Sequence, residues 1–257
     1  FLAQRNQSPL PEDVTRFLDQ VEADSCAAIV KSRMLSITIS SAEVAQQILD
    51  DPTAGKIARQ LDSRTLVIPE SRLALLGSFS GFRPFCSDAL GSLLNPEYME
   101  FRPRSTVEDD PTFKQLIPYA ILQADTGGQT NLFHYTRGSG QGEKRLHAKL
   151  SVGIGGHISR EDAQGDDLYR SGMQRELSEE MILESDYSEE LVGFIYDDTS
   201  PVGRVHLGVV HLLKLNQPAA RAREDDLVDS GFAPVERLKQ QLDSFETWSQ
   251  LCLSHLF

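Results

Sequence analysis

The amino-acid sequence predicts an α/β (α+β) layered domain: a mixed β-sheet with helices before, between and after its strands. Three observations point there. Residues 1–62 carry apolar side chains at helical spacing. From about residue 63, short β-branched and aromatic runs bounded by glycine and proline take over. One helical segment then interrupts the strands and two more close the chain, an order that fits a sheet layered between helices. The expected division is a helical N-terminal extension, 1–62, and a main domain, 63–257.

In the extension, "PEDVTRFLDQVEA" spaces Val14, Phe17, Leu18 and Val21 along one helical face. "SSAEVAQQILDD" opens with Ser40 and Glu43 placed as a capping box and closes at Asp51-Pro52. "RTLVIPE" is the first strand expected, "GSFSGFRP" a loop, and "RPRSTVEDDPTF" a charged connector. "LIPYAILQ" and "TNLFHYT", joined by "ADTGGQ", form a hairpin. After the basic, glycine-rich "RGSGQGEKRLHAK" come the strand "LSVGIGG" and the helix "DDLYRSGMQRELSEEMIL". "LVGFIYDD" and "GRVHLGVVHLLKL" are further strands, with Asp197 and Asp198 as turn formers between them. The tail gives two helices with Asp243 or Ser244 as the cap between them.

Composition limits what the chain does. At 257 residues and 40% hydrophobic it can build a sizeable core. Lys plus Arg is 25 against 38 Asp plus Glu, a formal net charge of −13, which argues against nucleic-acid and acidic-membrane partners. No apolar run approaches the ~20 residues that span a bilayer, and no signal-peptide pattern is visible. The chain begins at Phe rather than Met, so residues are expected to precede it. Cys26, Cys86 and Cys252 are scattered and odd in number, as expected of reduced thiols in a cytoplasmic protein.

The chemistry concentrates in "VGIGGHISREDAQGDDLYRSGMQRELSEEMIL", residues 152–183. On a helix, Glu176, Glu179 and Glu180 fall within about a third of the circumference. Three carboxylates on one arc repel unless a cation sits among them, and Mg²⁺ favours such oxygen ligands. Tyr169, Met173, Leu177 and Met181 occupy the adjoining arc and would bury it against the sheet. Arg175, four residues before Glu179, can pair with it and fix its direction. Gly155-Gly156 ends the preceding strand, where the backbone can approach a ligand and offer it a carbonyl. A solvated glutamate-rich face is the plain alternative.

This segment resembles the Nudix hydrolase signature, G-x(5)-E-x(7)-R-E-U-x-E-E-x-G-U with U aliphatic. "RELSEE" at 175–180 matches its core. The runs "DDPTFKQLIPYAIL", "RLHAKLSVGIGGHI", "DDTSPVGRVHLGVV" and "FETWSQ" look like a branch of predicted phosphoesterases, and the resemblance covers about 63–257. Three positions depart from the pattern. Gly156 to Arg175 is 19 positions (175 − 156) against 14 in the signature, so the loop is about five residues longer. Counting eight back from Arg175 puts Asp167 at the first motif glutamate, and Ile182 stands at the late glycine.

The resemblance implies a mixed sheet sandwiched between helices and hydrolysis of a diphosphate bond in a small phosphorylated molecule. It implies Mg²⁺ or Mn²⁺ held by Glu176, Glu179, Glu180 and a Gly155 or Gly156 carbonyl, with Arg175 in the catalytic set. Glu176 is a candidate base, and Glu224, Asp225, Asp226 and Glu246 are substitutes. Glu246 lies in a resembling run but on its own reads as a solvent-exposed helix residue. The altered Asp167 also admits a weakly catalytic nucleotide-binding sensor.

Outside the motif, Arg137, Lys144, Arg145 and Lys149 cluster before the glycine strand and would suit phosphate oxygens. His206 and His211, an odd number of residues apart on one strand, point to opposite faces and suit structural roles. Gly153, Gly155 and Gly156 lack dinucleotide-fingerprint spacing. The helical extension suits a homodimer.

Overall fold

The computed structural model describes residues 64–86, 89–138, 149–164, 167–223 and 227–257. The helices expected over 1–62 lie outside the described residues, as do Lys144, Arg145, Glu224, Asp225 and Asp226.

Two compact units divide the chain. One comprises residues 1–64 and 102–108; the other comprises 65–101 and 109–257. Strands in chain order are β1 (Arg64–Pro69), β2 (Gly81–Pro84), β3 (Glu100–Pro103), β4 (Phe113–Thr126), β5 (Gln129–Arg137), β6 (Leu150–Ser151) and β7 (Gly153–Gly155). There follow β8 (Met181–Leu183), β9 (Tyr187–Tyr196), β10 (His206–Leu215), β11 (Ala220–Ala222) and β12 (Leu227–Pro234). The helices are α1 (Ala89–Leu93), α2 (Arg104–Val107), α3 (Leu168–Glu180), α4 (Val235–Lys239) and α5 (Thr247–His255). Within the smaller unit, α2 is closed by the Arg104–Glu108 pair at 2.7 Å.

In the larger unit the sheet runs β12-β5-β4-β10-β9-β2, with β1 and β7 also on β4 and β6 on β5. β10 pairs with β4 in parallel, His206 opposite Gln115 through Leu215 opposite Ala124. The other pairings onto these strands are antiparallel, so the sheet is mixed. β4 is the spine. Its run from Lys114 to Leu122 is buried throughout, as expected of a strand covered on both faces. The β4–β5 hairpin turns at Gly127 and Gly128, with φ of 60° and 78°, the pair of positive values a tight hairpin turn requires.

Alternation along β4 divides the core. Tyr119 and Ile121 face a cluster containing Val235, Leu238, Phe245, Cys252 and Leu253, which α4, α5 and the segment between them supply. Ala120 and Leu122 face Leu177 and Met181 on the opposite side, at the α3 end. Leu116 joins Tyr169, Ile158 and Phe194 there. The sheet therefore lies between helices.

The structure corrects three local expectations. Residues 81–84, read as a loop, are β2, paired with β9. The helix read as far as Leu183 stops at Glu180, and Met181–Leu183 turn extended to pair with β11. Neither Asp243 nor Ser244 caps the last helix; both lie in a 3₁₀ turn, and Glu246 is the cap.

Candidate active site

Helix α3 begins at Asp167, whose carboxylate accepts the Arg170 backbone N–H at 3.0 Å. Tyr169, Met173 and Leu177 are buried beneath it, as their helical spacing anticipates. Gly172 sits mid-helix because a Cβ there would lie 2.9 Å from Asp162 Oδ2 and 3.0 Å from the Ile158 side chain. The helix thus rests directly on the 158–162 segment that follows the glycine strand.

Arg175 organises the exposed end of this contact. Nε reaches Asp162 Oδ1 at 2.9 Å and Nη2 reaches Asp162 Oδ2 at 3.1 Å, a bidentate pair. Nη2 also donates to the His157 carbonyl at 2.9 Å. Nη1 donates to Glu176 Oε1 at 3.0 Å and Glu179 Oε2 at 3.1 Å. One guanidinium therefore ties the post-strand loop to two of the three helix glutamates. Burial alone would lower its pKa, but Asp162 and Glu176 carry it well above the usual arginine value.

Here the structure corrects the carboxylate assignment. Asp167 is the helix cap; the partner of Arg175 is Asp162, which sequence reasoning missed. Asp162 lies six positions after Gly156, the signature's own interval from glycine to first glutamate. Counting forward from the glycine finds it; counting back from the arginine crosses the extra loop residues. Burial would raise its pKa, yet bonds from Arg175 and Ser159 hold the carboxyl below the usual range.

Glu176 is pressed against the glycine strand. A Cβ at Gly156 would fall 2.1 Å from the Glu176 carboxyl carbon and Oε2, so only glycine admits the carboxylate there. Its side chain is 18% exposed, and burial pushes its pKa up despite Arg175. Glu179 is more open, at 53%. Glu180 is half-buried, its charge felt by Tyr135 and Arg137, and its carbonyl accepts the Arg223 N–H at 2.8 Å. The donors are hard oxygens on one helix end beside a glycine backbone, which is chemistry suited to Mg²⁺ or Mn²⁺. Among the described residues, no three His, Cys, Asp or Glu side chains are drawn together around one point.

The glycine strand is pinned from its other face. The Tyr119 ring fills the space above Gly153, where a Cβ would lie 2.0 Å from Cζ. The Tyr119 hydroxyl donates to Glu246 Oε1 at 2.7 Å. Glu246 also accepts from Trp248 N, Ser249 N and the Ser249 hydroxyl, capping α5. The Ser249 oxygen in turn accepts the Val152 N–H at 2.9 Å. The exposed helix residue expected at Glu246 is thus a cap only 8% exposed, on the α5 side of the sheet, its oxygens occupied by donors.

The expected basic cluster is only partly described. Arg137 is half-buried at the end of β5, with Nη1 3.4 Å from the Tyr135 hydroxyl and Nε buried without a partner among the described residues. Burial would lower its pKa, but Tyr135, Glu246, Tyr119 and Glu180 raise it. Burial lifts Tyr135 to about 12, and its hydroxyl donates to the Gly153 carbonyl at 3.0 Å. Lys149 turns to the Asp243 carbonyl at 3.1 Å, toward the C-terminal helices.

The histidines separate as their spacing requires. His211 is buried, bonded to the Tyr169 hydroxyl at 2.8 Å and Glu189 at 3.0 Å. His206 lies 3.2 Å from His157 between Nε2 atoms. Asp197 holds the following turn through Thr199 and Ser200.

A mixed sheet between helices, with a glycine-ended strand set against a glutamate-bearing helix, defines the class as a Nudix-type hydrolase fold. Comparison with known proteins agrees. The chain is 35% identical over 166 residues to Protein YmaB of Bacillus subtilis (strain 168), covering 62% of this chain and 78% of that one. It superposes on the crystal structure of Tm1382, a candidate Nudix hydrolase, with TM-score 0.63 and 29% identity over 75% of this chain and 97% of that one. A weaker likeness, TM-score 0.40 and 14% identity over 49% and 77%, links it to the Nudix domain of Shewanella oneidensis NrtR in complex with ADP-ribose; it is too distant to speak for this chain's ligand. No family model matches the sequence. The chain belongs to the Nudix hydrolase family.

Proposed function

We propose that this protein is a divalent-metal-dependent hydrolase that cleaves a diphosphate bond in a small phosphorylated molecule, such as a nucleoside diphosphate linked to another moiety. The observation that carries this reading is the seat of Glu176. Its carboxylate is partly desolvated against Gly156, and the Arg175 bridge joins it to Glu179.

Glu176, Glu179 and Glu180, with a Gly155 or Gly156 carbonyl, would hold Mg²⁺ or Mn²⁺. Such an ion would lower the pKa of the attacking water and neutralise charge developing on phosphorus. Asp162 fixes Arg175, and Arg175 aims the two carboxylates it bridges. Arg137, whose Nε has no partner among the described residues, would offer charge to a substrate phosphate. Glu246 is poorly suited to be the base, because its oxygens are taken by the α5 cap and Tyr119. Glu176 then stands as the candidate base, together with Glu224, Asp225 and Asp226 outside the described residues. No helix among the described residues is long and apolar enough to cross a membrane. Free Cys86 and Cys252 suit a reducing compartment, so the reading places the enzyme in the cytoplasm.

The test is hydrolysis across nucleoside diphosphate derivatives, nucleoside triphosphates and dinucleoside polyphosphates, with Mg²⁺ and with Mn²⁺, beside Glu179→Gln and Glu180→Gln. Metal-dependent turnover that collapses in both variants is the expected result. Turnover that survives both would remove the helix from the chemistry. Nucleotide binding without product would favour a sensor.

A further inference from the structure

We propose that a second binding site, on the cleft at the start of β4, takes an organic monophosphate. The cleft has a volume of about 430 Å³, and its lining includes Glu70, Ser71, Thr112, Lys114, Tyr196 and Arg204. On β4, Lys114 is five residues before Tyr119, the partner of Gly155, so about 16 Å of strand separates this cleft from the glycine strand.

Lys114 is the reason to look here. It is 1% exposed, and lysine is almost never so buried unless paired. Its ammonium donates to the Pro111 carbonyl at 2.5 Å and lies 5.5 Å from the Tyr196 ring centroid. Among the described residues no carboxylate reaches it at ion-pair distance. Burial lowers its pKa, while Glu70 and Asp110 act on it from farther off and raise it. An ammonium that lines a cleft and donates to one carbonyl among the described residues has donors left for an anion. Arg204, exposed at the rim, supplies a second cation, and the Ser71 and Thr112 hydroxyls supply neutral donors. Glu70 offsets one of the two cations, which limits the site to one anionic group rather than a polyphosphate. Pro69, Pro111 and Tyr196 form an apolar wall for the organic part.

Calorimetric titration of the full chain with inorganic phosphate and with adenosine 5′-monophosphate tests this. EDTA in the buffer keeps divalent metal from the helix glutamates. The expected result is binding of both probes, the nucleotide more tightly, with Kd rising about tenfold or more in Arg204→Ala and in Lys114→Gln. Glu179→Gln should bind as the unaltered protein does. Should Lys114→Gln fail to fold, Arg204→Ala and Thr112→Ala, both on exposed residues, carry the comparison. Four results would overturn the proposal: no binding of either probe at about 10 mM, affinity unchanged in Arg204→Ala, equal affinity for the two probes, or loss of binding in Glu179→Gln.

Discussion

Replacing Gly156 with alanine should separate activity from stability. The new Cβ would lie 2.1 Å from the Glu176 carboxyl, whereas ordinary contact begins near 3.4 Å. The carboxyl must therefore retreat by about 1.3 Å (3.4 − 2.1). It is the far end of a flexible side chain with room to turn, so the fold should lose no more than about 1 kcal/mol. On the proposed role of Glu176 as a metal ligand, a displacement of that size should cost about 10²-fold in kcat/KM, near 2.7 kcal/mol. Gly153→Ala is the control, because its Cβ would strike the buried Tyr119 ring at 2.0 Å. That ring is held by Glu246 and Ser249 and cannot turn aside, so about 1–3 kcal/mol of stability should be lost. Thermal unfolding with and without Mn²⁺, beside turnover on the best substrate of the panel, reads both variants. A Gly156→Ala protein with unaltered turnover and an unaltered Mn²⁺-induced rise in Tm would refute the argument that the seat of Glu176 matters.

Asp162→Asn removes the bidentate partner of Arg175, and with Arg175 30% exposed the loss should be about 1–3 kcal/mol in urea unfolding. The sign with pH follows from the lowered carboxyl. Its contribution is complete above the unfolded value of about 3.9 and is lost as pH falls through the lower folded value, so the Asp162→Asn variant should show a flatter acid limb in its stability profile. An acid limb of unaltered steepness would count against the pairing. Glu246→Gln replaces an acceptor of backbone donors with an amide and should lower stability by about 1–3 kcal/mol. Turnover per folded molecule should persist, and its abolition in a protein that melts normally would restore Glu246 as a base.

What can be read in advance follows from how local each signal is. β4, β9 and β10 are legible because long apolar runs have few alternatives, and Gly127-Gly128 marks the hairpin turn directly. β2 is not, because Gly81–Pro84 is four residues long and is a strand only through β9, more than a hundred residues away. Met181 and Ile182 continue the apolar spacing of α3, so nothing in the helix itself predicts its end. The end comes from β11, against which both turn extended. Glu246 looks exposed because "FETWSQ" shows a charged residue among polar ones, while the donors that bury it arrive from β4 and from one turn ahead.

The long loop follows the same logic. Two groups keep their internal spacing: Gly156 with Asp162, and Arg175 with its three glutamates. The two groups meet at two close contacts, the Gly156–Glu176 approach on one side and the Asp162–Arg175 fork on the other. Gly172 lets the helix approach the 158–162 segment more closely than a Cβ would allow, which brings the two groups together. Extra residues are tolerable only where neither constraint applies, between Asp162 and the cap at Asp167. Asp167 then starts the helix afresh at its own N-terminus. The longer loop therefore leaves the first motif carboxylate in place, and the two aspartates divide between them an ion pair and a helix cap.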